Sequence, residues 1–470
     1  MDTSLHLVRR FRHLEAMNGP KQAAARGRDF NPFLADVFRR DGLDAVSELQ
    51  GLDQRDEIDV HVMLGDTGVL IEAKWYARKI GATPVSEMRE RLDSRPSGSR
   101  GIVISMSGFT KAPIDKARAK AAVYLLERPH VEALIAGLMP ADDFLRNLFT
   151  LTSRYGGSTL PLETLVLRNG PGSPAPTFRA DDPDEARDFP LKPARGVTAE
   201  VLATADEAWT APPTGLATDT DGAVLLTVDG GLLRLDPRTR DTRWLPAPPC
   251  TSPLLADDGT LTVLSGAAAV DLSAGGLQVR GGAFRPNRAH LLTGPERTTW
   301  VFDNDGARVG GPVGGHHRLT QLATTVAHQP DPIIIDFPGN IHQAVLTGSG
   351  HLYLAAGGHS VLTGPDTGWD CPKDDWTPSV GLTPQAALAV GKRTVLLAGP
   401  PVDAPGVDKA LIALDASSGA VTQIMSLPNT TYILALAPAG DRDVLLLTDI
   451  RGNDARPRPR LLRITLPAGT

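Results

Sequence analysis

From about residue 196 onward the chain carries no helical periodicity. It becomes a succession of short apolar runs separated by Gly- and Asp-rich turns. One unit recurs: an apolar run, a turn, then a second apolar run that ends in an acidic turn. It is seen in GLATDTDGAVLLTVDGGLLRLDPRTRDTRWL, in LLADDGTLTVLSGAAAVDLSAGGLQV, and in AALAVGKRTVLLAG followed by KALIALDASSGAVTQI. The second runs end at Asp236, Asp271, Asp303 and Asp415, spaced by 35, 32 and 112 residues. A unit this small cannot bury its own apolar faces, so neighbouring copies must stack. That points to an all-β C-terminal β-propeller, with a large β-sandwich as the competing arrangement. At roughly 45 residues per blade, the stretch holds six blades, with seven as the other count. The run AEVLATA at its start is placed to pair with the final blade and close the ring.

Residues 1–165 follow a different pattern, alternating helix and strand, which reads as an α/β domain. In FNPFLADVFRR, Phe30, Phe33, Leu34, Val37 and Phe38 fall on one helical face. Pro32 suits a first helical position, which would make Asn31 the N-cap. EIDVHVML, TGVLIEAKW and GIVISM read as strands, with helices at 84–92 and 111–121, a strand at AVYLLE and a helix at HVEALIAGL. Residues 166–195 are rich in Pro, Gly and acidic residues without apolar period, and read as a linker to the propeller at 196–470.

Charge follows the same division. Residues 1–155 hold 23 Lys and Arg against 21 Asp and Glu, and the remainder holds 25 against 33. The N-terminal part is therefore the half suited to a polyanion. Two cysteines, Cys250 and Cys371, do not make a disulfide framework or a CxxC pair. No run approaches the ~20 apolar residues of a membrane span, and the N-terminus lacks a signal-peptide pattern. A cytoplasmic protein without a membrane partner is expected.

The stretch RDEIDVHVMLGDTGVLIEAKW carries the chemistry. Glu72 and Lys74, two apart in a strand, project from one face. Asp59 lies on the preceding strand, which the turn Gly65–Gly68 folds back beside it. Two carboxylates and one ammonium then converge. Hard oxygen ligands of this kind suit Mg²⁺ or Mn²⁺, which activates water against a phosphodiester, with Lys74 orienting the water or meeting developing charge. A surface hairpin with two salt bridges would show the same letters.

In order and spacing, GRDFNPFLADVFRRDGL, DEIDV, IEAKW, GIVISMSGFTKAPIDKA and AVYLLERPHVEALIAG resemble the PD-(D/E)XK restriction endonuclease-like superfamily, specifically Mrr-like type IV restriction nucleases. The resemblance covers about a quarter of the chain. It implies a Mg²⁺-dependent endodeoxyribonuclease acting in restriction of foreign DNA such as phage. The catalytic residues would be Asp59, Glu72 and Lys74, and the metal would be held by Asp59, Glu72 and the Ala73 carbonyl. Ser105 and Ser107 fall in a stretch matching a strand end beside the family's active site. Many members carry a Glu on the leading helix, where this chain has Asn31, with Asp36 as a distant substitute. That departure motivates the alternative of a catalytically inert nuclease fold that binds DNA or a partner.

Further candidates are auxiliary. His61 shares the strand face of Asp59. Arg89, Arg91 and Arg95 on the next helix, and Lys111, Lys116 and Lys120 after the SGFT loop, are candidate phosphate contacts; a solvated helix face explains them equally. Trp75 and Tyr76 read as packing. Seven of the 11 histidines fall between 290 and 359, without HxH or HxxxH spacing. Trp209, Trp244, Trp300, Trp369 and Trp376 read as propeller core. The propeller would sense or dock an unknown protein or ligand. Double-strand cutting by one site per chain favours a homodimer.

Overall fold

A computed structural model describes the chain except residues 1–2, 20, 51–56, 119–121, 181–186, 188, 208, 210, 257, 274–275, 287, 305–314, 338–340, 357–358, 365–376, 379–381, 403–406, 451–457 and 469–470. Lys120, Trp369, Cys371 and Trp376 lie outside the described residues. The chain divides into two compact units. The first is Met1–Leu167 with Ser265–Phe284 and Ala323–Gln329, and the second is Arg168–Leu264, Arg285–Leu322 and Pro330–Thr470.

The first unit opens with helices α1 (Thr3–Ala16) and α2 (Ala23–Arg40). Five strands follow: β1 (Asp44–Gln50), β2 (Glu57–Leu64), β3 (Thr67–Lys74), β4 (Arg100–Ser105) and β5 (Val123–Glu127). They form one sheet in sequence order, antiparallel across β1–β2–β3 and parallel across β3–β4–β5. Parallel neighbours need crossovers, supplied by α3 (Thr83–Asp93) and α4 (Lys111–Arg118). Helices α5 (Arg128–Ala136), α6 (Ala141–Tyr155) and α7 (Leu162–Val166) follow. The β2–β3 turn brings Leu64 opposite Thr67, leaving only Gly65 and Asp66 between the strands. Gly65 takes the left-handed φ of +59° that such a turn demands.

The apolar face of α2 is buried as its spacing predicts: Phe30, Phe33, Leu34, Val37 and Phe38 are at most 1% exposed. Each such side chain contributes on the order of 1.5–3 kcal/mol. The N-cap assignment of Asn31 is corrected. Helix α2 begins at Ala23, so Pro32 lies inside it and Asn31 sits mid-helix. The Ala-rich first turns propagate helix through the proline position, and burial of the Phe-rich face outweighs the hydrogen bond that Pro32 cannot donate.

Across the sheet, Val85 and Met88 of α3 pack with Ile58, Leu70, Val103 and Leu125. Gly101 makes this approach possible, since a Cβ there would meet Met88 Cγ at 2.6 Å. Trp75 packs edge-on to Phe30 and against Phe11, with ring centroids at 4.8 and 5.8 Å. The guanidinium groups of Arg26 and Arg128 lie over its ring. Trp75 is thus a packing residue. Tyr76 is not: it is 55% exposed.

The second region is all-β. Among the described residues, six sheets with four-stranded cores follow one another, over 215–247, 251–281, 289–337, 343–378, 386–427 and 431–465. The sixth takes its fourth strand from Thr198–Ala205, which pairs antiparallel with Pro459–Thr465 and closes the ring. Parts of the linker stretch also add to blade edges: Arg168–Asn169 pairs in the first blade, Phe178–Arg179 beside Thr198–Ala205, and Lys192–Pro193 in the fifth. The repeat register needs one correction. Asp236, Asp271 and Asp415 belong to third strands or the turns after them, but Asp303 ends a second strand, Thr299–Asp303. Eleven residues separate Asp303 from the next strand at Gly315, where the first, second and fourth blades join the same two strands by two-residue turns.

Trp209 and Trp300 are buried, and Trp244 lies against Gly170. Among the described residues the histidines form no metal-binding cluster. His317 is buried and stacked on Phe302, His351 is bonded to Ser349, and His342 and His359 are exposed. No described helix is long and apolar enough to cross a membrane.

Candidate active site

The β2–β3 hairpin positions the acidic pair. Its register sets Val60 opposite Ile71 and His61 opposite Leu70. Continuing that register puts Asp59 across from Glu72, and the two-residue period puts Lys74 on the face of Glu72. Lys74 Nζ lies 2.5 Å from Glu72 Oε1 and 3.4 Å from Asp59 Oδ2. One cationic group therefore touches both carboxylates. The side chains of Asp59, Glu72 and Lys74 are 14%, 6% and 22% exposed, so the cluster is largely withdrawn from water.

Three further groups complete the cluster. The Ala73 backbone N–H donates to Asp59 Oδ2 at 2.8 Å. Asn31, brought in by α2, donates from Nδ2 to Asp59 Oδ1 at 3.1 Å. Its own Oδ1 is buried and has no partner. From α3, Arg91 donates to Glu72 Oε2 at 2.5 Å.

Burial raises the Asp59 carboxyl above its ordinary value, and the Glu72 charge adds to this against the lowering by Lys74 and the Ala73 N–H. Burial pulls Lys74 down, but Asp59 and Glu72 outweigh it and hold the ammonium above its usual range. His61 is pushed down by burial and by the charge of Arg95, against Asp44. Its imidazole is therefore held toward the neutral form.

Other sequence candidates fall elsewhere. Ser105 pairs in register with Lys74, but its Oγ donates to the Gly108 carbonyl at 2.7 Å. Ser107 Oγ donates to the Arg78 carbonyl at 2.6 Å. Both serines brace loops rather than face the carboxylates. Asp36 is engaged by Arg10 and Arg39 and does not substitute at the site. Arg89 reaches the Lys116 carbonyl at 3.4 Å, while Lys111 is exposed on α4. Arg91 turns to Glu72 and Arg89, two residues away on α3, to the opposite side; Arg95 is corrected, since α3 ends at Asp93 and this residue lies beyond the helix, its charge acting on His61.

Sequence reasoning took Tyr76 for packing and passed over Ala77–Lys79. All four residues are exposed directly after the strand bearing Glu72 and Lys74. The Ser107 bond and the Ile80–Phe109 bridge hold the segment in place. An aromatic and two cations in the run YARK were the available signal.

Among the described residues, no group of three or more His, Cys, Asp or Glu side chains assembles. Asp59 and Glu72 bring two carboxylates together on Lys74, and the Asn31 amide bonded to Asp59 adds a buried oxygen without a hydrogen-bond partner. That donor chemistry fits a hard divalent cation.

Residues 23–135 match the family model described as restriction endonuclease (Mrr_cat). No curated protein matches the chain. Solved structures similar to it include a gluconolactonase from Xanthomonas campestris, 13% identical over 63% of this chain and 99% of that one, with a TM-score of 0.38. A second is the calcium-binding protein regucalcin from Agrobacterium tumefaciens, 12% identical over 57% and 95%, TM-score 0.40. A third, of unknown function and from Dyadobacter fermentans, is 13% identical over 58% and 100%, TM-score 0.40. The chain thus carries at residues 23–135 a domain matching the restriction endonuclease family, followed by a six-bladed β-propeller.

Proposed function

We propose that the protein is a divalent-metal-dependent DNA endonuclease whose propeller serves as a recognition module. The observation that carries this reading is the joint contact of Lys74 Nζ with Glu72 and Asp59, inside a domain matching a restriction endonuclease family. Asp59, Glu72 and the Ala73 carbonyl would hold Mg²⁺ or Mn²⁺. When bound, the cation would supply Lewis-acid polarisation of the phosphate and a more acidic water. Lys74, charged throughout the neutral range, donates hydrogen bonds to the attacking water and meets the negative charge that grows on the phosphoryl oxygens. Asn31 and the Ala73 N–H fix the Asp59 carboxylate, so its orientation does not depend on the ligand. Arg78 and Lys79, exposed just after β3, would pair with phosphates flanking the cut. Hydrolysis by activated water uses no covalent intermediate.

The proposed role is restriction of foreign DNA in the cytoplasm, with two copies cooperating to cut both strands. The test is a plasmid assay with purified protein and Mg²⁺ or Mn²⁺. Wild type nicks or linearises the plasmid, whereas Lys74→Ala and Asp59→Ala do not. Cutting by these variants at the wild-type rate refutes the assignment. DNA binding without cutting by the wild type would leave an inert nuclease fold.

A further inference from the structure

The four charged side chains of the site balance in pairs. Asp59 and Glu72 are matched by Lys74 and Arg91. Both oxygens of Glu72 are in use, Oε1 by Lys74 and Oε2 by Arg91, each at 2.5 Å. The Glu72 and Arg91 side chains are only 6% and 18% exposed, so neither charge is well served by water. A divalent cation bound by Glu72 would compete directly with Arg91 for the same carboxylate. It would also set a dication beside a partly buried guanidinium, which Coulomb repulsion disfavours. The site would then carry an excess of two positive charges, which a phosphodiester reduces.

We infer that Arg91 is an exchange residue, held by Glu72 in the cation-free site and passed to a DNA phosphate when Glu72 takes a cation. The inference rests on the metal-site reading above. Arg91 can make the exchange without leaving, because α3 is fixed against β4 by Met88 and the close approach at Gly101. Its planar fork suits a phosphate as well as a carboxylate. Cation and DNA then bind cooperatively, and linkage requires each to tighten the other by one common factor. A fixed ion pair that only ties α3 to β3 would produce no such coupling. Arg91 thus acts by releasing Glu72 to the cation and by pairing with the bound phosphate itself.

The test is calorimetric titration of the full chain with Mn²⁺ in the absence of DNA. Releasing Glu72 from a charge-assisted hydrogen bond should make Arg91→Gln bind Mn²⁺ about tenfold more tightly than wild type. Duplex DNA affinity is then measured with and without Ca²⁺. Ca²⁺ should tighten DNA binding by wild type, and that tightening should shrink severalfold in Arg91→Gln. Equal or weaker Mn²⁺ binding by a folded Arg91→Gln overturns the exchange and leaves a structural ion pair. Mn²⁺ binding by neither protein overturns the metal-site reading, and the exchange with it. If Arg91→Gln does not fold, Arg91→Lys takes its place, since it keeps the charge but lacks the fork. Mn²⁺ affinity between wild type and the tenfold gain supports the exchange, and unchanged affinity overturns it.

Discussion

Asn31 Nδ2 donates to Asp59 Oδ1 across 3.1 Å, tying the middle of α2 to the acid of β2. The residue that departs from the family's leading-helix glutamate therefore occupies the site. Its amide oxygen, a neutral donor, is buried and has no hydrogen-bond partner.

Replacing Asn31 by aspartate should convert that neutral donor into a third carboxylate. Without metal, the loss of the hydrogen bond and the new repulsion beside Asp59 should cost about 1–3 kcal/mol. With Mn²⁺ the order should invert, the variant gaining more in unfolding temperature than wild type. Thermal unfolding with and without Mn²⁺ checks this. An equal metal-induced shift in both proteins would place Asn31 outside the cation's reach.

Arg78 and Lys79 should act on DNA through charge alone. Counterion release predicts that Arg78→Ala combined with Lys79→Ala lowers the slope of log affinity against log salt by roughly 2. Weakening should be similar for unrelated sequences. Fluorescence anisotropy on two unrelated duplexes from low to moderate salt measures both effects, and an unchanged slope removes the segment from the interface.

His130 sets a pH limit on stability. Its Nδ1 accepts from the Glu127 N–H at 3.1 Å and its Nε2 donates to the Leu160 carbonyl at 2.9 Å, which requires the neutral ring. Burial lowers its proton affinity below the ordinary value, against the pull of those bonds and of nearby carboxylates. The unfolded chain then takes up the proton first. Stability is full above about pH 6.5 and falls as pH drops toward the lowered folded value. His130→Gln should be less stable at pH 7 by roughly 1–2 kcal/mol but show a flatter decline between pH 7 and 5. Denaturant titrations at several pH values give both quantities, and parallel declines would assign the acid sensitivity to other groups.

Much of this architecture was legible in residue order. Strict alternation in EIDVHVML and the ExK spacing placed Asp59, Glu72 and Lys74 together, because a hairpin with a two-residue turn leaves little freedom of register. Strand β1 was not anticipated, since DAVSELQ alternates too weakly to distinguish an edge strand from a loop. The role of Asn31 was obscured by its neighbour: Pro32 signals a helix start locally, and only the packing of α2 shows that the helix runs through it. Sequence makes Arg91 a candidate phosphate contact, but its engagement with Glu72 depends on a contact 19 residues apart in sequence. Local period could select its face but not its partner. The misassigned register of Asp303 has the same origin, as equal acidic turns can follow either the second or the third strand of a blade.

The sixth blade borrows its fourth strand from Thr198–Ala205, while its other three lie at 431–465. Ribosomes release the early strand long before its neighbour exists. The ring can therefore be sealed only after synthesis has passed residue 465, and a chain cleaved or stalled short of Pro459 is left with an open seam and an unpaired, aggregation-prone edge.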